Sequence, residues 1–115
     1  MNVEELLSMH AEEQPKGTPT LTMQAVQRML PLVPGWEVID NGKMLRWQKR
    51  FNDFQAAIDF VNKVAALAQE QDHHPDIRVH GYRNAELLFS THSIGGLSHN
   101  DFILAAKVNK LLEET

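Results

Sequence analysis

The 115-residue chain contains no cysteine, which excludes disulfide bonds and thiolate metal sites and permits a reducing compartment. It also lacks an excess of positive charge: 11 Lys and Arg residues stand against 15 Asp and Glu residues, a formal net charge of -4 at pH 7. Affinity for a phosphate backbone depends on such an excess, so we expect no direct nucleic-acid binding.

Long hydrophobic runs are also missing, and none approaches the roughly 20 residues that span a bilayer. The segment Met1–Glu5 carries no basic residue of the kind that begins a secretory signal. We therefore expect a cytoplasmic protein that makes no membrane contact. The hydrophobic content of 43% is sufficient for one core, and the length is that of one ordinary domain.

Residues 1–20 differ in character from the rest of the chain. A short helix is indicated by Val3, Leu6 and Leu7, and a polar, proline-containing stretch follows it. We interpret residues 1–20 as an N-terminal arm, mobile or docked, and residues 21–115 as a single domain. Thr22 suits the N-cap of the first domain helix, which we expect to run to about Leu30.

The clearest local signal is Asn41-Gly42 between two alternating segments, which favours a two-residue type I′ β-hairpin. The register that this turn implies puts apolar pairs on one face of the hairpin and an ion pair on the other. The expected pairs are Trp36 with Trp47, Val38 with Leu45, and Glu37 with Arg46.

A long helix is predicted over about residues 53–71, with Asn52 and Gln55 forming a capping box. Its expected apolar stripe comprises Phe54, Ala57, Ile58, Val61, Ala65 and Ala68. This helix delivers His73 and His74 just beyond its C-terminus.

Two further strands are predicted over residues 77–83 and 85–91, joined at Arg83-Asn84. The last helix starts near Asn100, with Ser98 as its N-cap and Asp101 at the third helical position. The element order is α-β-β-α-β-β-α. It indicates an α+β fold with a four-stranded antiparallel sheet and helices on one face.

The residues most indicative of chemistry are His73, His74 and Pro75, followed by His92 and Asp101. Proline restricts the residue before it, so two adjacent histidines held against Pro75 are typical of a site. Imidazole has an unperturbed pKa of about 6.5 and can give or accept a proton near neutral pH. A dehydration needs one proton delivered to the leaving hydroxyl and another removed from the adjacent atom. Two or three histidines could carry out both transfers without a metal or an organic cofactor.

The full pattern reads His73-His74-Pro75, six residues, Tyr82, nine residues, His92, eight residues, Asp101. This pattern resembles the signature of the pterin-4a-carbinolamine dehydratase family, over about residues 20–112. The resemblance extends to the order of several other short segments. These are Leu30-Pro31, Trp36, Asn41-Gly42, Phe51-Asn52-Asp53-Phe54 and Thr91 through Ser98.

The resemblance implies dehydration of a 4a-hydroxytetrahydropterin, formed by an aromatic amino acid hydroxylase, to a quinonoid dihydropterin. It places His73 and His92 in acid and base roles, His74 against the pterin ring, and Asp101 beside an imidazole. Pro75, Trp36 and Tyr82 are further candidates for contact with the substrate. The family also implies a homodimer or tetramer. Some members act instead as dimerisation partners or assembly factors, which leaves a binding protein as the alternative function.

Several alternatives remain open at this point. An acid such as Asp101 is favoured at a helix start by the helix dipole alone. Zinc could in principle be held by a set drawn from His73, His74, Asp76, His80 and His92, although side chains adjacent in sequence diverge. The family usually has an acid four residues before the first histidine, where this chain has Gln69. We expect His10, His80 and His99, which match no family position, to be solvated.

Overall fold

The computed structural model describes all 115 residues and contains one antiparallel sheet of four strands in the order β1-β2-β4-β3. The strands are β1 (Glu37–Ile39), β2 (Met44–Arg50), β3 (Asp76–His80) and β4 (Asn84–Phe89). The helices are α1 (Val3–Ser8), α2 (Met23–Met29), α3 (Phe54–Gln71) and α4 (His99–Glu113). The α+β fold is confirmed, and the element order gains α1 at its start.

The first hairpin has the predicted register. Glu37 pairs with Arg46 and Val38 with Leu45, which leaves Asn41-Gly42 at the centre of the turn. Both have positive φ, as a type I′ turn requires, but so does Asp40. The strands end at Ile39 and Met44, so the loop has four residues rather than the predicted two. The rings of Trp36 and Trp47 stack with centroids 6.1 Å apart, and both are buried.

Helix α3 has the predicted length but differs in its cap and its buried face. The N-cap is Asp53, whose side chain accepts from the Ala56 N–H, while Gln55 contacts Asp59 instead of forming a box with Asn52. The buried stripe is Ala57, Phe60, Val64, Ala68 and Gln71. Phe54 and Ala65, which the predicted stripe included, are exposed. Successive side chains on a helix are rotated by about 100°, so the predicted stripe was centred to one side of the face that is buried.

The second hairpin turns earlier than predicted. Its register pairs His80 with Asn84, so the connection is Gly81-Tyr82-Arg83 rather than Arg83-Asn84. Gly81 and Tyr82 both have positive φ. Tyr82 therefore lies at the tip of the hairpin, where its side chain is exposed.

One face of the sheet meets the helices and the other is open. Leu45, Trp47, Leu87 and Phe89 alternate along β2 and β4 and are buried in the core on the helical face. On the open face Arg46 binds both Glu37 and Glu86 at 2.7 Å. The hydrogen bond to Glu37, and then that to Glu86, raises the pKa of the Arg46 guanidinium.

The first twenty residues are docked on the domain. Leu6 of α1 is fully buried in the main core, and Lys107 of α4 donates to the Leu7 carbonyl at 2.9 Å. Leu21 then joins the domain through a main-chain hydrogen bond to Leu97. None of the helices combines the length and the hydropathy that crossing a membrane demands.

Candidate functional site

His73 is positioned by the way α3 ends. Asp72, the C-cap, adopts the left-handed conformation with φ of 50°, which Asp tolerates better than most residues. This turn lets the His73 N–H donate back to the Ala68 carbonyl at 3.2 Å. The chain therefore leaves the helix in a fixed direction, with the histidine pair immediately beyond the cap.

Asp101 serves two structures at once. Its Oδ2 accepts from the Ser98 N–H at 2.9 Å and from the Thr91 hydroxyl at 2.8 Å, which completes the capping box of α4. Its Oδ1 lies 2.7 Å from Nε2 of His73. The helix-start role and the contact with His73 are therefore both present. The Asp101 side chain is fully buried, so these three donors supply all of its hydrogen bonds.

The His73 ring is held on its face as well as at its edge. It stacks on Phe89 with an angle of 9° between the planes and centroids 5.9 Å apart. Because a buried carboxylate accepts at Nε2, the proton of the neutral imidazole belongs on Nε2. Nδ1 has no hydrogen-bond partner in the protein and is the nitrogen left for chemistry.

His92 lies beside the same pocket as His73, on the short connection between β4 and α4. It begins a 3₁₀ turn over His92–Ile94, which ends at Gly95 with φ of 70°. Gly96 then bridges back to Thr91, and a Cβ on Gly96 would lie 2.7 Å from the Thr20 side chain. This glycine pair makes the tight turn that connects His92 to the start of α4, and the His92 side chain is exposed.

His74 contacts α3 and makes no hydrogen bond to Asp101. Its Nε2 lies 3.2 Å from Oε1 of Gln69, the residue at the position where the family usually has an acid. The side-chain oxygen of Gln69 can accept a hydrogen bond from this imidazole but carries no charge. Both residues are exposed.

The three histidines share one pocket of about 840 Å³. Its lining comes from residues 10–16, residues 71–76, residues 90–93 and Asn100, so Pro75 and Asp76 also face it. No group of three or more His, Asp or Glu side chains is close enough to hold a metal ion. Of the zinc set considered from sequence, His80 lies at the far end of β3, outside the pocket.

Two candidate substrate contacts are not in this pocket. Trp36 is buried in the core, where its Nε1–H donates to Asn109 at 2.9 Å. Tyr82 lies at the hairpin tip, beyond the end of β3 that is distant from His73 and His74. Within one chain, neither side chain lines the pocket that the histidines share.

The remaining histidines, His10, His80 and His99, differ in their exposure. His10 and His99 are exposed, although His10 lines the pocket. The prediction of a solvated His80 is wrong, since its Nε2 is buried without a hydrogen-bond partner. His80 lies on the open face of the sheet, because its neighbours Asn84 and Glu86 on β4 face that side.

Sequence reasoning missed the part that the N-terminal arm plays in this site. The Ala11 N–H donates to Oε1 of Gln71 at 2.8 Å, and Glu12 exchanges two main-chain hydrogen bonds with the side chain of Asn100. Ser93 adds a hydrogen bond to the Gln14 carbonyl. The only signal in the sequence was the presence of polar side chains next to the site residues, which is too common to indicate docking.

Comparison with known proteins assigns this architecture to one family. The model for "Pterin 4 alpha carbinolamine dehydratase" matches residues 19–111. Three bacterial relatives provisionally named pterin-4-alpha-carbinolamine dehydratase are similar over most of their length. The Stenotrophomonas maltophilia protein is 50% identical over 75% of this chain and 73% of its own. The Xylella fastidiosa protein is 43% identical over 95% and 93%, and the Rubrobacter xylanophilus protein 47% identical over 83% and 87%.

Two solved structures share the fold. A transcriptional coactivator/pterin dehydratase from Brucella melitensis superimposes with a TM-score of 0.75 at 28% identity, over 81% of this chain and 98% of its own. A pterin dehydratase-like protein, described as a RuBisCO assembly factor in the alpha-carboxysome, gives a TM-score of 0.58 at 23% identity. It covers 67% of this chain and 88% of its own, and its likeness shows the fold alone.

Proposed function

Because the chain belongs to the pterin 4 alpha carbinolamine dehydratase family, we propose that it converts a 4a-hydroxytetrahydropterin to a quinonoid dihydropterin and water. The observation that carries this proposal is His73, held between Asp101 and Phe89 with Nδ1 free, in a pocket shared with His74 and His92. Such an arrangement can accept one proton and deliver another within a single site.

The reaction breaks the C4a–O bond and forms a C4a=N5 double bond. Nδ1 of His73 takes the proton from N5, and the electron pair of that N–H bond forms the new double bond. Asp101 then faces an imidazolium, which its carboxylate stabilises through the 2.7 Å contact at Nε2. His73 is therefore proposed as the base.

His92 is proposed as the acid that protonates the departing hydroxyl, which leaves as water. Its ring makes no hydrogen bond to the protein and is exposed, so it can be reprotonated from solvent after each turnover. His74 and Pro75 are proposed to contact the pterin ring. The three histidines account for the proton transfers, and no cofactor is invoked.

The direct test is an assay that follows the loss of a chemically generated 4a-carbinolamine with and without the protein. We expect acceleration by protein as purified and by protein treated with EDTA. Activity that EDTA abolishes and zinc restores would contradict the proposed mechanism. The His80→Ala protein serves as the folded control, since His80 lies outside the pocket.

A non-catalytic binding role, as a dimerisation or assembly factor, is the second candidate because of one observation. Gln69 places a neutral amide, rather than an acid, against His74. Under this alternative the protein binds a stable dihydropterin but does not accelerate dehydration. The physiological source of the substrate is proposed to be an aromatic amino acid hydroxylase, and a gene for one beside this gene would favour the catalytic role.

A further inference from the structure

Nearly all of the N-terminal arm, residues 1–20, precedes the region that the family model matches, which begins at residue 19. Yet residues 10–16 line the pocket that contains His73, His74 and His92. We infer that residues 10–16 form a substrate-contacting wall, and that Gln71 and Asn100 are positioning residues that hold this wall and set the affinity for the pterin. The inference rests on the proposed function for the identity of the ligand.

The wall is held by two buried amide side chains. Gln71 is 3% exposed and Asn100 is 5% exposed. Oε1 of Gln71 accepts from the Ala11 N–H at 2.8 Å, while Asn100 accepts from the Glu12 N–H at 3.0 Å and donates to the Glu12 carbonyl at 2.6 Å. Buried polar groups need partners, and for these two amides the partners are main-chain groups of the arm.

The same two residues connect the wall to the catalytic pair. Gln71 is the last residue of α3, two positions before His73, and Asn100 directly precedes Asp101 in the first turn of α4. The position of the arm is therefore fixed relative to the bond between His73 and Asp101. A ligand bound beside His73 therefore occupies a pocket that residues 10–16 also line.

The hydrogen bonds that hold the arm use its main chain, so its side chains remain available to a ligand. The side chains of Glu12, Glu13 and Lys16 are exposed and make no hydrogen bond or ion pair with the protein. The pyrimidinone ring of a pterin presents N–H donors and a carbonyl acceptor along one edge. Carboxylates complement the donors and an ammonium group complements the carbonyl, so this wall suits recognition of the ring rather than proton transfer.

The test compares three leucine variants: Asn100→Leu, Gln71→Leu and the control Asn109→Leu. Asn109 is on the same helix, about 13.5 Å along the axis from Asn100, and its amide also joins two segments. It accepts from Trp36 at 2.9 Å and donates to the Pro34 carbonyl at 3.0 Å, outside the pocket. Folding of each variant is verified by circular dichroism before binding is measured.

Calorimetric titration with a stable 7,8-dihydropterin should give a Kd at least about tenfold higher for Asn100→Leu and Gln71→Leu, and a Kd within about twofold of wild type for Asn109→Leu. In the dehydration assay the first two variants should raise KM and leave kcat within about twofold. Wild-type Kd in both arm-holding variants overturns the inference. Lower kcat with unchanged KM also overturns it, because these residues would then act through Asp101 or His73.

A second measurement needs no substitution. By linkage, a ligand that contacts the docked arm must stabilise that docking by the same factor by which the arm improves ligand affinity. Saturating dihydropterin should therefore slow hydrogen exchange at the Ala11 and Glu12 amides about tenfold or more. It should leave unchanged the Phe51 amide, which donates to the Arg83 carbonyl at the end of β4 remote from the pocket. Unchanged exchange at Ala11 and Glu12 overturns the inference.

The two proposals can fail separately. If wild-type protein binds dihydropterin and the arm-holding variants bind it equally well, the wall is wrong and the dehydratase assignment stands. If those variants bind weakly but wild-type protein does not accelerate dehydration, the wall is supported and the catalytic proposal is wrong. Absence of any dihydropterin binding by wild-type protein overturns both.

Discussion

His73 and Asp101 are joined by a 2.7 Å contact between Nε2 and Oδ1, across 28 residues of sequence. The other oxygen of Asp101 accepts from the Ser98 N–H, a donor that cannot change its role. Because a carboxylate can only accept, its Oδ1 favours the His73 tautomer that is protonated on Nε2. Asp101, whose presence the capping of α4 alone would explain, also leaves Nδ1 as the free nitrogen of His73.

The first prediction is that Asp101→Asn inverts this tautomer. The new amide must turn its oxygen toward the Ser98 N–H, so its NH₂ group faces Nε2 of His73. The ring then carries its proton on Nδ1, which can no longer accept one. We expect kcat to fall by about 10²-fold or more, and ¹⁵N NMR of the imidazole to show the changed tautomer.

Asp59→Asn is the matched control for that variant, because Asp59 is exposed and contacts only Gln55. Its kcat should equal that of wild type. A fully active Asp101→Asn protein would show that the contact is structural and that His73 is not the base.

The second prediction concerns the two histidines proposed to move protons. His73→Ala and His92→Ala should each lower kcat roughly tenfold or more, and the double variant should lose less than the product of the two effects because both residues serve one reaction. Steady-state kinetics of the four proteins measures this directly. His80→Ala should be near neutral, and a loss equal to that of His92→Ala would mean that the site is misplaced.

The elements that the sequence predicts well are those defined by local chemistry. Asn41-Gly42 set the hairpin register because only a few residues tolerate the positive φ of its turn. Ser98 and Asp101 marked the start of α4, and the family resemblance implied an imidazole beside Asp101, where Nε2 of His73 lies. In each case the interaction depends on a few neighbouring residues or on a motif with fixed spacing.

The features that escaped prediction depend on contacts distant in sequence. The hydrogen bonds that dock the arm join residues 60 and 88 positions apart, and no periodicity in the polar stretch indicates them. Tyr82 was misplaced because the second hairpin bends at Gly81 and at Tyr82 itself, a bulky residue with an unfavourable positive φ. Trp36 was assigned to the correct face of its hairpin, but that face is the core.

The third prediction is that Gln69→Glu increases kcat/KM. The structure shows that this position contacts His74, not His73, so the change acts on the imidazole proposed to hold the pterin ring. A carboxylate there makes a charge-assisted hydrogen bond to a protonated imidazole and stabilises it. The comparison is the kcat/KM profile from pH 6 to 8 for Gln69→Glu, wild type and the exposed helix control Gln55→Glu. Identical profiles would mean that the amide is a tolerated substitute for the acid.

The last prediction is self-association, which the family resemblance implies. Helix α4 does not offer the contact, because Ile103, Leu104 and Val108 are all buried within a single chain, where α1 and α3 pack against α4. The surfaces left for a partner copy are the open face of the sheet and its two edges, β1 and β3. Of the two edges, β3 carries the exposed apolar residue, Ile77, which is 38% exposed. An unpaired edge strand with an exposed apolar residue favours pairing with the same edge of a second copy around a two-fold axis.

Light scattering at tens of micromolar should therefore give a mass of two or four times 13.1 kDa. Ile77→Lys should shift the protein toward the monomer, because pairing at β3 would bring two like charges close to each other across the two-fold axis. Phe54→Lys is the control, since Phe54 is 52% exposed at the start of α3, outside the sheet. A wild-type mass near 13.1 kDa would contradict association, and an unchanged oligomer in Ile77→Lys would exclude β3 as the interface.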